Sequence, residues 1–317
     1  MKSQLALHVL AELPLDPLFM VRFHADCRDL QSSLQKWGLL NPIHVYQTPE
    51  QRFVLDGWQR VVFLRQQNFE GELPVIVHQS HDITMADAFL LFIDLNVALR
   101  PFNIVEKALL LKKAQDLFAG KAWPKSLVTA LAVPFQPGPL KDYRDLLKLP
   151  QFVLKYAVNN GTPLHVVLKF LDFAPDDIEK LANQLFVYPF NQNKLSEILD
   201  LLQDLSRREG VLASQIFQDV LTQISGAGLA QQKEKLIRET LKKRKNPRYE
   251  AQMHQFLQKT KNMVLGGQTS VAPAPFFEDD YVEVTSRIYN QSDIENLIQV
   301  LTHQAWGDIF STPETNS

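Results

Sequence analysis

The sequence predicts an α+β protein: a small α/β domain over 1–100, an all-helical middle over 101–210, a basic helical linker over 211–248, and a small α/β module over 249–317. Three observations carry that reading. Short apolar runs punctuated by glycine and proline fill the first hundred residues, and helical periodicity takes over at Ile104. A branched and aromatic run, Tyr281 to Ile288, then precedes a capped helix. A chain of 317 residues is long enough for two or three domains, each with its own core.

Leu30, Leu34 and Trp37 share one face of a short helix, and Gly38 follows where helices commonly end in a left-handed residue. Pro42 opens a strand over Ile43 to Tyr46, Gln47 to Gln51 is a polar turn, and Phe53 to Leu55 is a second strand. Asp56-Gly57 closes it, Trp58 to Gln67 has helical spacing, and Pro74 to His78 is a third strand. Ile104, Ala108, Leu111 and Ala114 head a helix ending near Gly120. Pro124 opens a shorter helix through Ala132, since proline is tolerated at the first helical position. Pro134, Pro137 and Pro139 crowd the next turn, and Leu140 to Leu149 reads as a third helix stopped by Pro150.

Two amphipathic helices fill residues 176–209, with Asp176 and Asp177 favouring the first one's dipole. Gln231 to Arg248 carries five lysines and three arginines against two glutamates, a local +6. Such a helix either holds phosphates nonspecifically or is a solvated surface face. Tyr249 to Leu265 is another helix, Gly266 to Pro275 a loop, and Ser292-Asp293 cap a last helix through Leu301. The tail from Ser311 reads as loose.

The formal net charge is −2, so any binding to nucleic acid must come from a local patch. Cys27 is the single cysteine, which forbids an intrachain disulfide and fits a reducing cytoplasm. The apolar run Leu5 to Leu10, broken by His8 and followed by Glu12 and Pro14, is a poor signal-peptide core. No stretch approaches the roughly 18 apolar residues of a membrane span, and the chain reads as soluble and cytoplasmic, with no membrane partner. The eight histidines are scattered with no pair at i, i+4, so no metal site is assigned. Neither a Walker-type glycine loop nor a Gly-x-Ser-x-Gly elbow is present, and no catalytic residue is assigned.

Asp56-Gly57 is the best site candidate. A glycine between strand and helix lets backbone N–H groups approach an anion, and the helix amino terminus adds partial positive charge. Arg60, in the first turn, is placed to reach the same phosphate. A tight turn with a solvated arginine satisfies the same residues.

Several motifs then fall in a fixed order: Leu30-Gln31-Ser32-Ser33-Leu34, Gly38-Leu39-Leu40-Asn41-Pro42-Ile43, Leu55-Asp56-Gly57-Trp58-Gln59-Arg60, Pro74-Val75-Ile76-Val77, and Asn96 with Arg100-Pro101-Phe102-Asn103-Ile104-Val105-Glu106. The order resembles the amino-terminal domain of ParB-type chromosome- and plasmid-partitioning proteins, which share a fold with sulfiredoxin. Leu146-Leu147-Lys148-Leu149-Pro150 matches the family's motif after its helix-turn-helix, so the resemblance spans roughly residues 12 to 210. It implies a nucleotide site, with CTP the candidate ligand, at Gly57, Arg60, Asn96 and Arg100. It implies DNA as partner, a nucleoid-associated location, a ParA-type ATPase as further partner, and a homodimer.

Departures bound the activity. The family's Gly-Glu-Arg-Arg turn is Gly57-Trp58-Gln59-Arg60, and the acid expected before Asn96 is Leu95, which gives magnesium no oxygen. Asp94 is one residue away and faces elsewhere on the helix. The histidines of the related serine-kinase branch are absent, and sulfiredoxin's cysteine is not in this loop. The nucleotide site therefore reads as degenerate. DNA contacts are expected from Lys141, Tyr143 and Arg144 of the presumed reading helix and from Lys242, Lys243, Arg244 and Lys245. The carboxyl-terminal module is expected to carry the dimer. A nucleotide-using kinase or CTPase of the same fold, and a protein-interaction module lacking both ligands, remain as rival readings. Segregation and transcriptional control are equally open.

Overall fold

The computed structural model describes residues 4–23, 28–120, 122–134, 136–224, 230–261, 269–277, 279, 281–303 and 306. The chain forms two compact units, Met1–Leu199 and Asp200–Ser317. Cys27, the Gly266-Gly267 turn and the tail from Ser311 lie outside the described residues.

In the first unit, strands β1 (Gln4–Val9), β2 (Ile43–Gln47), β3 (Arg52–Asp56) and β4 (Glu72–Gln79) make a four-stranded sheet in the order β1-β4-β2-β3. β2 and β4 run parallel, while β1–β4 and β2–β3 are antiparallel. Helix α1 (Arg28–Trp37) precedes β2, α2 (Trp58–Gln66) makes the crossover from β3 to β4, and α3 (Met85–Val97) follows β4. Successive side chains point to opposite faces of a strand, so alternate residues feed two cores. Val45, Val54, Val75 and Val77 join Val61 and Leu64 of α2 on one face. Tyr46, Phe53 and Leu55 join Phe19, Phe89 and Phe92 on the other. Burying each of those phenylalanines contributes on the order of 1.5–3 kcal/mol. Thr84 and Asp87 close a reciprocal capping box at the start of α3, worth about 1 kcal/mol.

β1 was hidden in the sequence as an apolar run. It is an edge strand in which Leu5, Leu7 and Val9 alternate with Gln4, Ala6 and His8, and it is the apolar set that is exposed. Trp37, placed on the apolar face of α1 by its spacing, is also exposed.

The unit continues with α4 (Ile104–Leu117), α5 (Lys125–Leu131), α6 (Pro137–Leu146), α7 (Gln151–Asn159), α8 (Leu164–Leu168), α9 (Pro175–Leu185) and α10 (Gln192–Glu209). The boundary between the units falls within α10. Pro137 and Pro139, expected in a turn, form the first turn of α6, where a missing N–H costs nothing. Pro124 caps α5 from outside rather than opening it. Lys113 of α4 donates to the carbonyls of Pro17 and Leu18 and so anchors the segment that carries Arg22.

The second unit holds α11 (Ala213–Gln223), α12 (Ala230–Lys245), α13 (Pro247–Lys261), a hairpin-like pair of β5 (Thr269–Pro273) and β6 (Val282–Ser286), and α14 (Gln291–His303). The basic helix ends at Lys245, because Pro247 opens the next helix instead of continuing the same one. β5 lies where the sequence predicts a loop, and its Val271 faces Val284 across the antiparallel pair. Among the described residues no helix is long and apolar enough to cross a membrane.

Candidate functional site

β3 delivers Asp56 to the edge of the sheet, and the chain then turns sharply into α2. Gly57 makes the turn with φ +95°, a left-handed conformation that glycine adopts without a Cβ penalty. Arg60, in the first turn of α2, folds back over it. A Cβ on Gly57 would sit 2.7 Å from Arg60 Nη2, so a side chain there would push the flexible guanidinium aside, while the backbone conformation itself calls for the glycine. Arg60 Nη2 pairs with Asp56 Oδ2 at 3.1 Å, and Nη1 donates to the carbonyls of Asn41 at 2.6 Å and Pro42 at 3.2 Å. Burial lowers the Arg60 pKa, and Asp56 opposes that shift.

Asn96, 4 % exposed on α3, joins this turn from the other side. Its Nδ2 donates to Asp56 Oδ1 at 3.0 Å and to Phe92 O at 2.8 Å, while its Oδ1 accepts from Arg22 Nη2 at 2.9 Å. Arg22 has a side chain only 9 % exposed, and lies 5.5 Å from the centroid of the Phe102 ring. Its Nη1 is buried without a hydrogen-bond partner and stands 4.0 Å from Glu106 Oε2. Burial lowers its pKa, reinforced by Arg100 and opposed by Glu106 and Asp56.

Glu106 is fully buried at the start of α4. It takes both guanidinium nitrogens of Arg100, at 2.7 and 2.9 Å, together with the backbone N–H groups of Phe23 and Asn103. A buried acid needs such a set, because desolvation without partners costs several kcal/mol.

Arg22, Asp56, Gly57, Trp58, Arg60 and Asn96 line a cavity of about 240 Å³, with Leu40 and Leu99 exposed among its walls. Of the four residues expected to hold a nucleotide, Gly57, Arg60 and Asn96 meet there, whereas Arg100 is spent on Glu106 and does not line it. Asp56 is the one acid among the described lining residues, and both its oxygens are engaged. Two arginines against one aspartate leave the lining net positive, which suits an anion. Among the described residues no group of three or more His, Cys, Asp or Glu stands ready for a metal ion. Arg22 is the lining residue that sequence reasoning missed; no local spacing ties it to Asp56, since the two meet only through Asn96.

The expected DNA-contacting residues are dispersed. Lys141 is exposed and pairs with Asp145 at 3.0 Å, Arg144 is exposed, and Tyr143 is half-buried against the core, which raises its pKa. In the second unit Arg244 is held by Glu209 at 2.6 Å and Asp219 at 3.2 Å, and Lys245 pairs with Asp204. Lys242 and Lys243 are exposed.

The chain matches no protein-family model and no curated protein. Part of it is similar to solved ParB domains. A pNOB8-like ParB N-domain shares 16 % identity over 64 % of this chain and 88 % of its own, with a TM-score of 0.36. A second structure of such a domain shares 16 % over 62 % and 87 %, with a TM-score of 0.35. The C-terminally truncated chromosome-partitioning protein ParB from Caulobacter crescentus, solved with the centromeric parS site, shares 20 % over 62 % and 98 %, with a TM-score of 0.29. These are likenesses at low identity; what this chain can do is read from its own side chains.

Proposed function

We propose that the protein is a ParB-like DNA-binding protein that holds a nucleotide, CTP, at the β3–α2 turn and does not turn it over. The observation that carries this reading is the convergence of Gly57, Arg60, Asn96 and Arg22 on one net-positive cavity. The arginines supply phosphate charge, the turn supplies backbone approach, and Asn96 supplies an amide. Asp56 is the only acid among the described lining residues, and it is committed to Arg60 and Asn96, so the donor set fits magnesium poorly. That supports binding without hydrolysis.

DNA is held mainly through phosphates, by the exposed Lys141, Arg144, Lys242 and Lys243, within a role in segregation or transcriptional control. Arg244 and Lys245 are less exposed and pair with Glu209, Asp219 and Asp204, so they serve the fold of the second unit first, whereas Lys141 stays largely exposed beside Asp145. A homodimer forms through residues after Tyr249, where Ile294, Ile298 and Leu301 of α14 are exposed at helical spacing. A ParA-type ATPase is the further partner of the segregation reading. The four domains read from the sequence, with boundaries near 100, 210 and 248, remain part of this proposal.

Duplex binding measured against salt, with and without CTP, tests it. Affinity should fall steeply with salt, each phosphate contact contributing about 0.9 to the log–log slope. Replacing Lys242 and Lys243 by glutamine should weaken all duplexes alike. Absence of both DNA and CTP binding at low salt would favour the interaction-module reading, for which the exposed Leu40 and Leu99 beside the cavity are the supporting observation.

A further inference from the structure

Two histidines with no part in the reading so far meet beside the candidate site. His44 on β2 and His78 on β4 lie with their rings nearly parallel, 12° apart, and His44 Nδ1 is 3.0 Å from His78 Nε2. His78 is buried. Two imidazoles at this distance share one N–H, so one ring must present an unprotonated nitrogen. A first added proton preserves the N–H···N bond, because an imidazolium still donates to a neutral ring. A second proton makes both nitrogens donors and breaks it.

The surroundings decide where the first proton goes. Asp56 of β3 lies opposite His44 in the strand register, and Asp56 and Arg60 of α2 are the charged groups that face that ring. Among the described charged groups, His44 is the one that acts on the His78 ring. A proton on His44 therefore gains Asp56, whereas one on His78 gains nothing. Asp56 is also the anchor of Arg60.

We propose that the His44–His78 pair is a proton-operated control of this cavity: a proton taken up on His44 draws Asp56 from Arg60 and frees that guanidinium for an anion. The control rests on the anion-site reading for its purpose, but its first step does not depend on it. Burial holds both rings below the ordinary imidazole range, Arg60 adding to this at His44 and His44 adding to it at His78, with Asp56 opposing at His44. The folded chain therefore takes fewer protons than the unfolded one as pH falls through about 6.5, and loses stability in that window.

The test follows imidazole nitrogen and arginine Nε–H resonances of the full chain from about pH 8 to about pH 5, with sulfate as the anion because its charge is constant over this range. The Arg60 resonance should move with the same midpoint as His44, and stay fixed in His44→Gln. Sulfate should bind at least about threefold more tightly at the acid end. His78→Gln gives an independent variant: Asp56 and Arg60 still act on His44 there, so Arg60 should still follow it. An Arg60 resonance that ignores His44, or that moves equally in His44→Gln, overturns the proposal. If Arg60 follows His44 yet sulfate never binds, the control stands and the anion reading fails.

Discussion

Replacing Asp56 by asparagine separates the two duties of this residue. The change is nearly isosteric; Oδ1 can still accept from Asn96, but the ion pair to Arg60 at 3.1 Å is lost. At an effective dielectric of about 20, two unit charges at that distance attract by about 5 kcal/mol gross. The side chains are 14 % and 17 % exposed, so solvent screens part of this, and Arg60 keeps its two carbonyl acceptors. A net destabilisation of about 2 kcal/mol is the expected result. The same change raises the net charge of the cavity lining by one. For each unit of ligand charge roughly 6 Å away in solvent-like surroundings that is about 0.7 kcal/mol, close to threefold in affinity per charge, so a triphosphate should gain at least that. Urea unfolding followed by circular dichroism reads the first effect, and calorimetric titration with CTP reads the second. A variant as stable as the parent that binds CTP no better would refute the reasoning that Asp56 holds Arg60 away from the ligand.

Two further changes address the rest of the account. Glu106→Ala should cost about 3–5 kcal/mol, because it strands Arg100 and leaves Arg22 without its nearest acid; denaturant unfolding checks this, and a loss below about 1 kcal/mol would contradict it. A chain ending at Arg248 should be monomeric while the full chain is dimeric, as read by size exclusion with light scattering. Equal association states would remove α14 and its neighbours from the dimer.

Much of the site was legible because its parts are local. Gly57 announced itself by standing between a strand and a helix, and its φ of +95° shows why a glycine is there. Arg60 was correctly placed in the first turn, but the sequence does not say whether it points at a ligand or folds back. Asp56, four residues earlier and one helical turn away, decides that. Asn96 was found only through the family resemblance, and its burial explains why an amide stands on the inner side of α3. Arg100 was implied by the same resemblance yet answers to Glu106, whose need for a partner at zero exposure outweighs any pull from the cavity. Arg22 and the His44–His78 pair were illegible, since each depends on strand or loop pairings made across long stretches of chain. β1 was illegible because its alternation of Leu5, Leu7 and Val9 with Gln4, Ala6 and His8 turns the apolar side chains outward, against the pattern of a half-buried strand.

The central claim is that the Gly57–Arg60 turn binds a nucleotide without consuming it. The most direct measurement titrates CTP into the full chain with magnesium present, by calorimetry, and assays the same sample for released phosphate. Saturable binding that weakens in Arg60→Ala, with no phosphate above a buffer blank, is the predicted result. Phosphate release that disappears in Arg60→Ala, or no heat of binding at all, would contradict it.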